Sequence, residues 1–462
     1  MNKLRNSAYC VSWLFFIFIF SVTPSTAEKK PSTVQGIIIT KLGDGTCVTG
    51  ITVQKDGKAI VSASTSVGEN LCFALVRYNL DGKIDRSFGD AGVVITKLGK
   101  YHILANDMAA QNDGKLVVAG ASSKTDASPG SNKTDDFIVA RYLTNGRLDS
   151  SLNKTGLVIT DVGGYHDHAY SVAIQGDGRI VAAGASLQPS MMHLSARYDF
   201  ASVRYNTDGT LDRGYGSRGK VVTRLGSISE DSARAVAIQW DGKILLAGAT
   251  HTSRSESELG VVRYNPDGSL DRTFGKKGKI IRPFGTNADR ISAAAHSIAV
   301  QKDGKILVGV NLYKHGSYNI DGVIIRFNRD GSFDVSFGNG GYVLVNGDGY
   351  FMNAIEDVAL QNDNKILFTG SAGREGQGKS DIVVGRINED GTRDRSFGEE
   401  GLFRISFGSF YATGRKIAIT PNRNILVAGD VGVVDGNTMN HRSQSRPSDL
   451  CLLRLKSDGS LY

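Results

Sequence analysis

Short apolar, β-branched runs alternate along this chain with two-residue polar turns. VTGITVQ (48–54) leads into Asp56-Gly57 and then KAIVSAS (58–64); CFALVRYN (72–79) leads into Asp81-Gly82 and then GVVITKL (92–98). An Asp-Gly pair between two such runs predicts a tight hairpin, because glycine accepts the positive φ that the turn requires. Four strands therefore form one unit, and the unit recurs. An arginine stands at 77, 141, 204, 263, 326, 386 and 454, and a QxDGKI phrase begins at Gln54, Gln111, Gln175, Gln239, Gln301 and Gln361, with a worn copy, TPNRNIL, at Thr420. These anchors define seven units of about sixty residues. In units six and seven Asn364 and Asn424 are read in the place of the turn glycine; asparagine is the next residue most tolerant of left-handed geometry.

The ends of the chain complete each other. VQGIIITKLG (34–43) matches the fourth strand AGVVITKLG (91–99), and LCLLRLKSDGSLY (450–462) is a third strand with its turn. The expected fold is all-β: a seven-bladed β-propeller of four-stranded antiparallel blades, closed by pairing of strand 35–42 with strand 450–455. Closure leaves no unpaired edge. Residues 34–462 form one propeller domain after a short linker, 28–33.

Arginine and aspartate keep a fixed offset within the repeated phrase: Arg77/Asp85, Arg141/Asp149, Arg204/Asp212, Arg263/Asp271, Arg326/Asp334 and Arg386/Asp394, with Tyr462 at the last Asp position. A guanidinium fork suits a carboxylate, so each pair is expected to brace its turn. Phe88, Phe274, Phe337, Phe397 and Tyr215 are expected to pack between blades, with Leu152 in their place in unit two. The NLDGKID stretch (79–85) has the look of half a calcium loop, but Leu143 and Lys456 occupy its first position in two units and no bidentate glutamate follows; an Asx turn fits better. The phrase, with QxDGK and AGAS around it, resembles the delta-60 repeat over essentially all of residues 34–462. That resemblance implies propeller-like architecture and export from a bacterium, and no reaction.

Composition changes the picture at the N-terminus. Lys3 and Arg5 precede the apolar run VSWLFFIFIFSV (11–22) and the small residues STA (25–27). This predicts a secretory signal peptide, 1–27, cleaved after Ala27; uncleaved, it would be an N-terminal anchor. A secreted or periplasmic monomer with no membrane span after cleavage is expected. The formal charge of +8 falls to +6 on cleavage, and the bases are scattered, which argues against nucleic acid. Cys47, Cys72 and Cys451 remain. Export permits a Cys47–Cys72 bridge, against which stands the strand between them; buried thiols are the alternative.

The loops between strands two and three, and between units, vary in length: 122–136, 186–199 and 433–449. They share one face of a rigid ring, a usual place for a binding surface. At the channel mouth, just before each first strand, the repeat stops repeating. Thr49, Asn106, Tyr170, Arg234, His296, Glu356 and Arg415 occupy one position, with Asp107 and Asp357 next along, while Ala173, Ala237, Ala299 and Ala359 lie deeper. Such a ring of dissimilar polar groups is either a ligand site or a solvated rim. His166 and His168 of YHDH lack a third ligand at metal spacing; no metal and no cofactor are expected. G-x-S-x-G and H-E-x-x-H motifs do not occur. Three functions remain open: a non-catalytic propeller binding a protein or glycan, a mouth-sited glycan hydrolase or lyase, and a structural envelope component.

Overall fold

A computed structural model describes residues 35–124, 135–188, 197–226, 228–252, 256–285, 290–316, 320–345, 352–373, 379–432 and 448–462. The N-terminal segment 1–34 and most of the three variable loops lie outside the described residues.

Unit one folds as Asp44–Val53, Ala59–Val67, Asn70–Tyr78 and Val93–Thr96, each strand antiparallel to the next. The alternation that predicts these strands places their boundaries within a few residues. The same four-stranded meander follows in each later unit, and among the described residues no helix occurs. The second strands are buried over all but their last few residues, as in Ile60, Val61 and Ala63 or Ile180, Val181, Ala182 and Ala183. The first strand of each unit contacts the first strand of the next, and Tyr411–Ile419 contacts Asp44–Val53. In the last unit the fourth strand comes from the other end of the chain: Ile37–Thr40 pairs with Ser448–Leu455, Ile37 opposite Leu453 and Thr40 opposite Leu450. Leu426, Leu450 and Leu452 share a core with Val48, Val61, Val76 and Tyr78 of unit one.

The two repeated phrases meet at one carboxylate. Arg Nε lies 2.6–2.8 Å from the Asp in all six predicted pairs. The QxDGK lysine reaches the same Asp, as in Lys58–Asp85 at 2.9 Å and Lys365–Asp394 at 2.8 Å. The brace also reaches outward. Arg77 Nη1 donates to Thr144 O at 2.8 Å and Arg141 Nη1 to Thr207 O at 2.6 Å, both in the turn of the following unit. Arg454 donates to Leu80 O, from the last unit to the first. Each arginine except Arg141 lies over an aromatic ring, 4.3–4.7 Å from its centroid. The rings wedge between units: a Cβ on Gly146 would come within 3.0 Å of Phe88, and one on Gly459 within 2.8 Å of Phe397. The Asp-Gly loops are Asx turns, with Asp81 Oδ1 accepting from Lys83 N at 3.0 Å.

Unit seven corrects one assignment. The left-handed turn residue there is Arg423 (φ 67°), not Asn424; Asn364 (φ 66°) does occupy it in unit six. Asn424 stands where other units have the lysine, and its Nδ2 donates to the Tyr462 hydroxyl. A neutral hydrogen bond thus replaces the lysine–aspartate contact where the chain ends.

The Cys47–Cys72 bridge does not form. Cys47 pairs with Ser64 and Cys72 with Thr65, so the strand Ala59–Val67 separates them. Cys47, Cys72 and Cys451 are all thiols, the last two buried. Thiol titration of the denatured, unreduced chain cleaved after Ala27 is expected to count three; a count of one would restore the bridge.

Candidate functional site

The structure places the candidate ring inside the first strands rather than before them. Pairing in each first strand skips one residue: the register breaks at Val48/Gly50, Ala105/Asp107, Ala169/Ser171, Ala233/Ala235, Ala295/Ser297, Ile355/Asp357 and Gly414/Lys416. The skipped residues are Thr49, Asn106, Tyr170, Arg234, His296, Glu356 and Arg415. A β-bulge sets two residues against one and re-aims the extra side chain, so equivalent positions of all the units carry the ring.

Four of these residues, on successive units, form one electrostatic arc. Arg415 Nη1 lies 3.4 Å from Glu356 Oε2, and His296 Nδ1 lies 3.7 Å from the same oxygen. Arg415 Nε is also 2.8 Å from Asp430 Oδ2, and Asp430 Oδ1 accepts from Val48 N at 2.6 Å. Burial pushes the Glu356 carboxyl upward, but Arg415 and His296 outweigh it and, with Arg234, bring it down to about 2. Glu356 is therefore an anion at neutral pH, which removes it as a proton donor. The other His296 ring nitrogen is buried with no hydrogen-bond partner among the described residues.

The next residue along each strand does different work. Asp107 Oδ2 accepts from Ser171 Oγ at 2.7 Å and from Val172 N at 3.0 Å, and Ser171 Oγ accepts in turn from Val236 N at 3.3 Å. Asp357 accepts from Ser297 Oγ at 2.8 Å and from Ile417 N at 3.1 Å. These bonds link neighbouring units, two through four and five through seven. Lys416, in unit seven, reaches Asp107, in unit two, at 3.4 Å. Burial lowers the Lys416 pKa, but Asp107 and Asp357 outweigh it and raise it above its usual value. Asp107 and Asp357, candidates for ligand binding at the mouth, make their hydrogen bonds between blades. Asn106 is likewise engaged, its Nδ2 donating to Ala169 O at 2.7 Å, and Thr49 pairs with Ser62 Oγ at 3.0 Å.

His166 and His168 both turn to Asp135, at 3.1 Å and 3.4 Å. Beside them, carboxylate oxygens of Asp136, Asp161 and Asp167 lie within 4.8 Å of one another, an acidic cluster that residue spacing alone does not reveal. Phe137 pairs with Thr160, so the next step sets Asp136 against Asp161. Burial first, then Asp161, Asp167 and Asp135, push the Asp136 carboxyl up to about 6. A raised carboxyl contributes fully below its unfolded value, and that contribution is lost as the pH rises through about 6. Asp136→Asn is thus expected to raise stability at pH 8 by about 1 kcal/mol, after allowance for solvent screening, and to make no difference near pH 4. A lower denaturation midpoint for the variant at pH 8 would overturn this.

Against known proteins, a family model described as "Domain of unknown function (DUF5122) beta-propeller" matches residues 54–88, 111–152, 175–215, 239–274, 301–337 and 361–397. No curated protein matches the chain. Among solved structures, the polysaccharide lyase Uly1 is 12% identical, with 90% of each chain covered and a TM-score of 0.48. The α-L-arabinanase of Penicillium chrysogenum is 9% identical, covering 75% of this chain and 91% of its own, with a TM-score of 0.43. The PQQ-bound aldose sugar dehydrogenase of Streptomyces coelicolor is 11% identical, covering 76% and 94%, with a TM-score of 0.39. Six matches to one repeat model in tandem, on four-stranded antiparallel blades, support a tandem-repeat β-propeller family.

Proposed function

We propose that this protein is an exported, non-catalytic binding propeller that takes a protein or glycan ligand at its channel mouth and variable loop face. In this reading it has seven blades, closed into a ring by the strand Ile37–Thr40, and works as a secreted or periplasmic monomer. The observation that carries the reading is the state of the mouth acids. Asp107 and Asp357 spend their oxygens on neighbouring blades, and Glu356 is held as an anion between Arg415 and His296. A hydrolase needs a carboxyl free to hand its proton to a bound substrate, and the hydrogen bonds and ion pairs of these three acids already engage them within the fold. What remains is a rigid rim of dissimilar side chains, suited to recognition.

One observation favours a second reading, a mouth-sited enzyme. Glu356 faces one His296 nitrogen and leaves the other without a partner, the arrangement of a carboxylate orienting a histidine base. A single experiment separates the two. The chain cleaved after Ala27 is screened for binding to a glycan array and to bacterial envelope proteins, and each bound glycan is then incubated with excess protein and examined for cleavage. Retention of an intact ligand supports the binding propeller. Cleavage that is lost in Glu356→Gln supports the enzyme, and no binding anywhere overturns the proposal.

A further inference from the structure

Arg234 is the one cation of the arc that the described residues leave without a counterion. Arg415 is shared by Glu356 and Asp430, and Lys416 by Asp107. Arg234, extruded at the bulge of unit four and partly buried, makes no hydrogen bond or ion pair among the described residues. It stands at the bulge equivalent to those of His296 and Glu356, which meet at 3.7 Å on the next two units, and its charge helps to hold the Glu356 carboxyl low. A partly desolvated guanidinium carries five unmet donors in a planar fork, and that fork matches a carboxylate.

The surroundings narrow the kind of carboxylate. Tyr170, at the equivalent bulge of the preceding unit, lies stacked with His168, ring centroids 6.0 Å apart and planes at 11°. Tyr313 belongs to the second strand of unit five, Ile306–Lys314. Aromatic rings on the units either side of Arg234 offer an apolar face to the C–H side of a pyranose. Glu356, ionised, accepts hydrogen bonds from hydroxyls but repels a second carboxylate. A sugar acid carries its carboxylate and several hydroxyl donors on one ring, so a single residue can meet Arg234 and Glu356 together; an acidic side chain carries its carboxylate with no hydroxyl beside it. We propose that Arg234 anchors the carboxylate of a uronate residue in an acidic glycan, with Glu356 accepting from its hydroxyls. This assignment rests on the binding-propeller reading above.

The test uses the chain cleaved after Ala27 and calorimetric titration with hexamers of galacturonate, glucuronate and mannuronate, with the methyl ester of each as a neutral control. Wild type is expected to bind at least one acid, to bind its ester at least tenfold more weakly, and to lose affinity as salt is raised. Arg234→Ala is expected to weaken binding of that acid at least tenfold, with Arg234→Lys between the two. Thermal midpoints of both variants should match wild type, since the side chain braces nothing. Equal affinity for acid and ester, equal affinity of Arg234→Ala and wild type, or failure of wild type to bind any of the three acids would overturn the assignment. If the array still returns an envelope protein or a neutral glycan, only the assignment falls; if it returns nothing, the binding propeller falls with it.

Discussion

Arg326→Ala is expected to cost about 3–5 kcal/mol of unfolding free energy, a value typical of removing one partner from a buried ion pair. The side chain is only 4% exposed and makes three contacts at once. Its Nε lies 2.7 Å from Asp334, its Nη1 donates to Glu389 O in the next unit, and its guanidinium stands 4.3 Å from the centroid of Phe337. Truncation leaves Asp334, itself buried, with Lys305 at 2.9 Å and Ser336 as its remaining partners, which places the effect toward the lower end of the range. It also leaves a carbonyl of the neighbouring unit without its donor. Replacing both partners together, Arg326→Met with Asp334→Leu, should cost less than the single change, because no buried carboxylate is left without its arginine, and Lys305, partly exposed, keeps Asp303 at 3.9 Å. Urea unfolding followed by circular dichroism gives both numbers. A single-variant loss below about 1 kcal/mol, in the range of exposed ion pairs, would mean that the brace is solvated and that the arginine repeats for another reason.

That brace was legible in the sequence because its two members sit in one phrase at a constant offset, so each unit repeats the evidence. The link onward from Arg77 to Thr144 O was not, since it joins a side chain to a backbone carbonyl in another copy, and a carbonyl leaves no trace in residue identity. The lysine of QxDGK is an intermediate case: it repeats, yet its target, Asp85 for Lys58, lies 27 residues away in a different phrase. The mouth ring was found by where repetition fails, and its level was misplaced because the bulge was overlooked. The signal was present as a slip in alternation. Ala105 is followed by Met108 and Ile355 by Val358, both steps of three where a flat strand steps by two, and the burial of those strands slips at the same place. The stapling of Asp107 and Asp357 was out of reach of the sequence, because an acid bonded to a neighbouring backbone and an acid poised for chemistry are spelled identically. Asp136 and Asp161 met only through strand register, which is fixed by tertiary pairing and is not encoded at either residue.

Deleting residues 28–43 from the chain cleaved after Ala27 is expected to cost about 5 kcal/mol and to make the protein prone to association. The strand Ile37–Thr40 supplies four registered pairs to Ser448–Leu455. Just before it, Gly36 O accepts from Arg454 N at 2.8 Å. Thr40 Oγ1 meets the hydroxyl of Tyr78, in unit one, at 2.7 Å inside the core. Ile37 is buried, while Ile38 and Ile39 are half-buried. Burial contributes roughly 1.5–3 kcal/mol for Ile37 and about half as much for each of Ile38 and Ile39, and orphaning the Tyr78 hydroxyl adds about 1–3 kcal/mol. The exposed strand Ser448–Leu455 would then present an apolar edge with open backbone groups, a template for a second chain. Two results are therefore expected together: a lower thermal midpoint for the truncated protein, and a concentration-dependent increase in apparent mass. A synthetic peptide of residues 34–43 added in trans should pair with the open edge, as an added strand does in β-augmentation, and raise the midpoint back toward that of the intact chain. Its effect should disappear when a proline replaces Ile38 or Ile39 in the peptide, since proline lacks the backbone donor and its ring disrupts the ladder. An unchanged midpoint in the truncated protein would mean that the last unit holds with three strands, and the ring would then not depend on its first strand for closure.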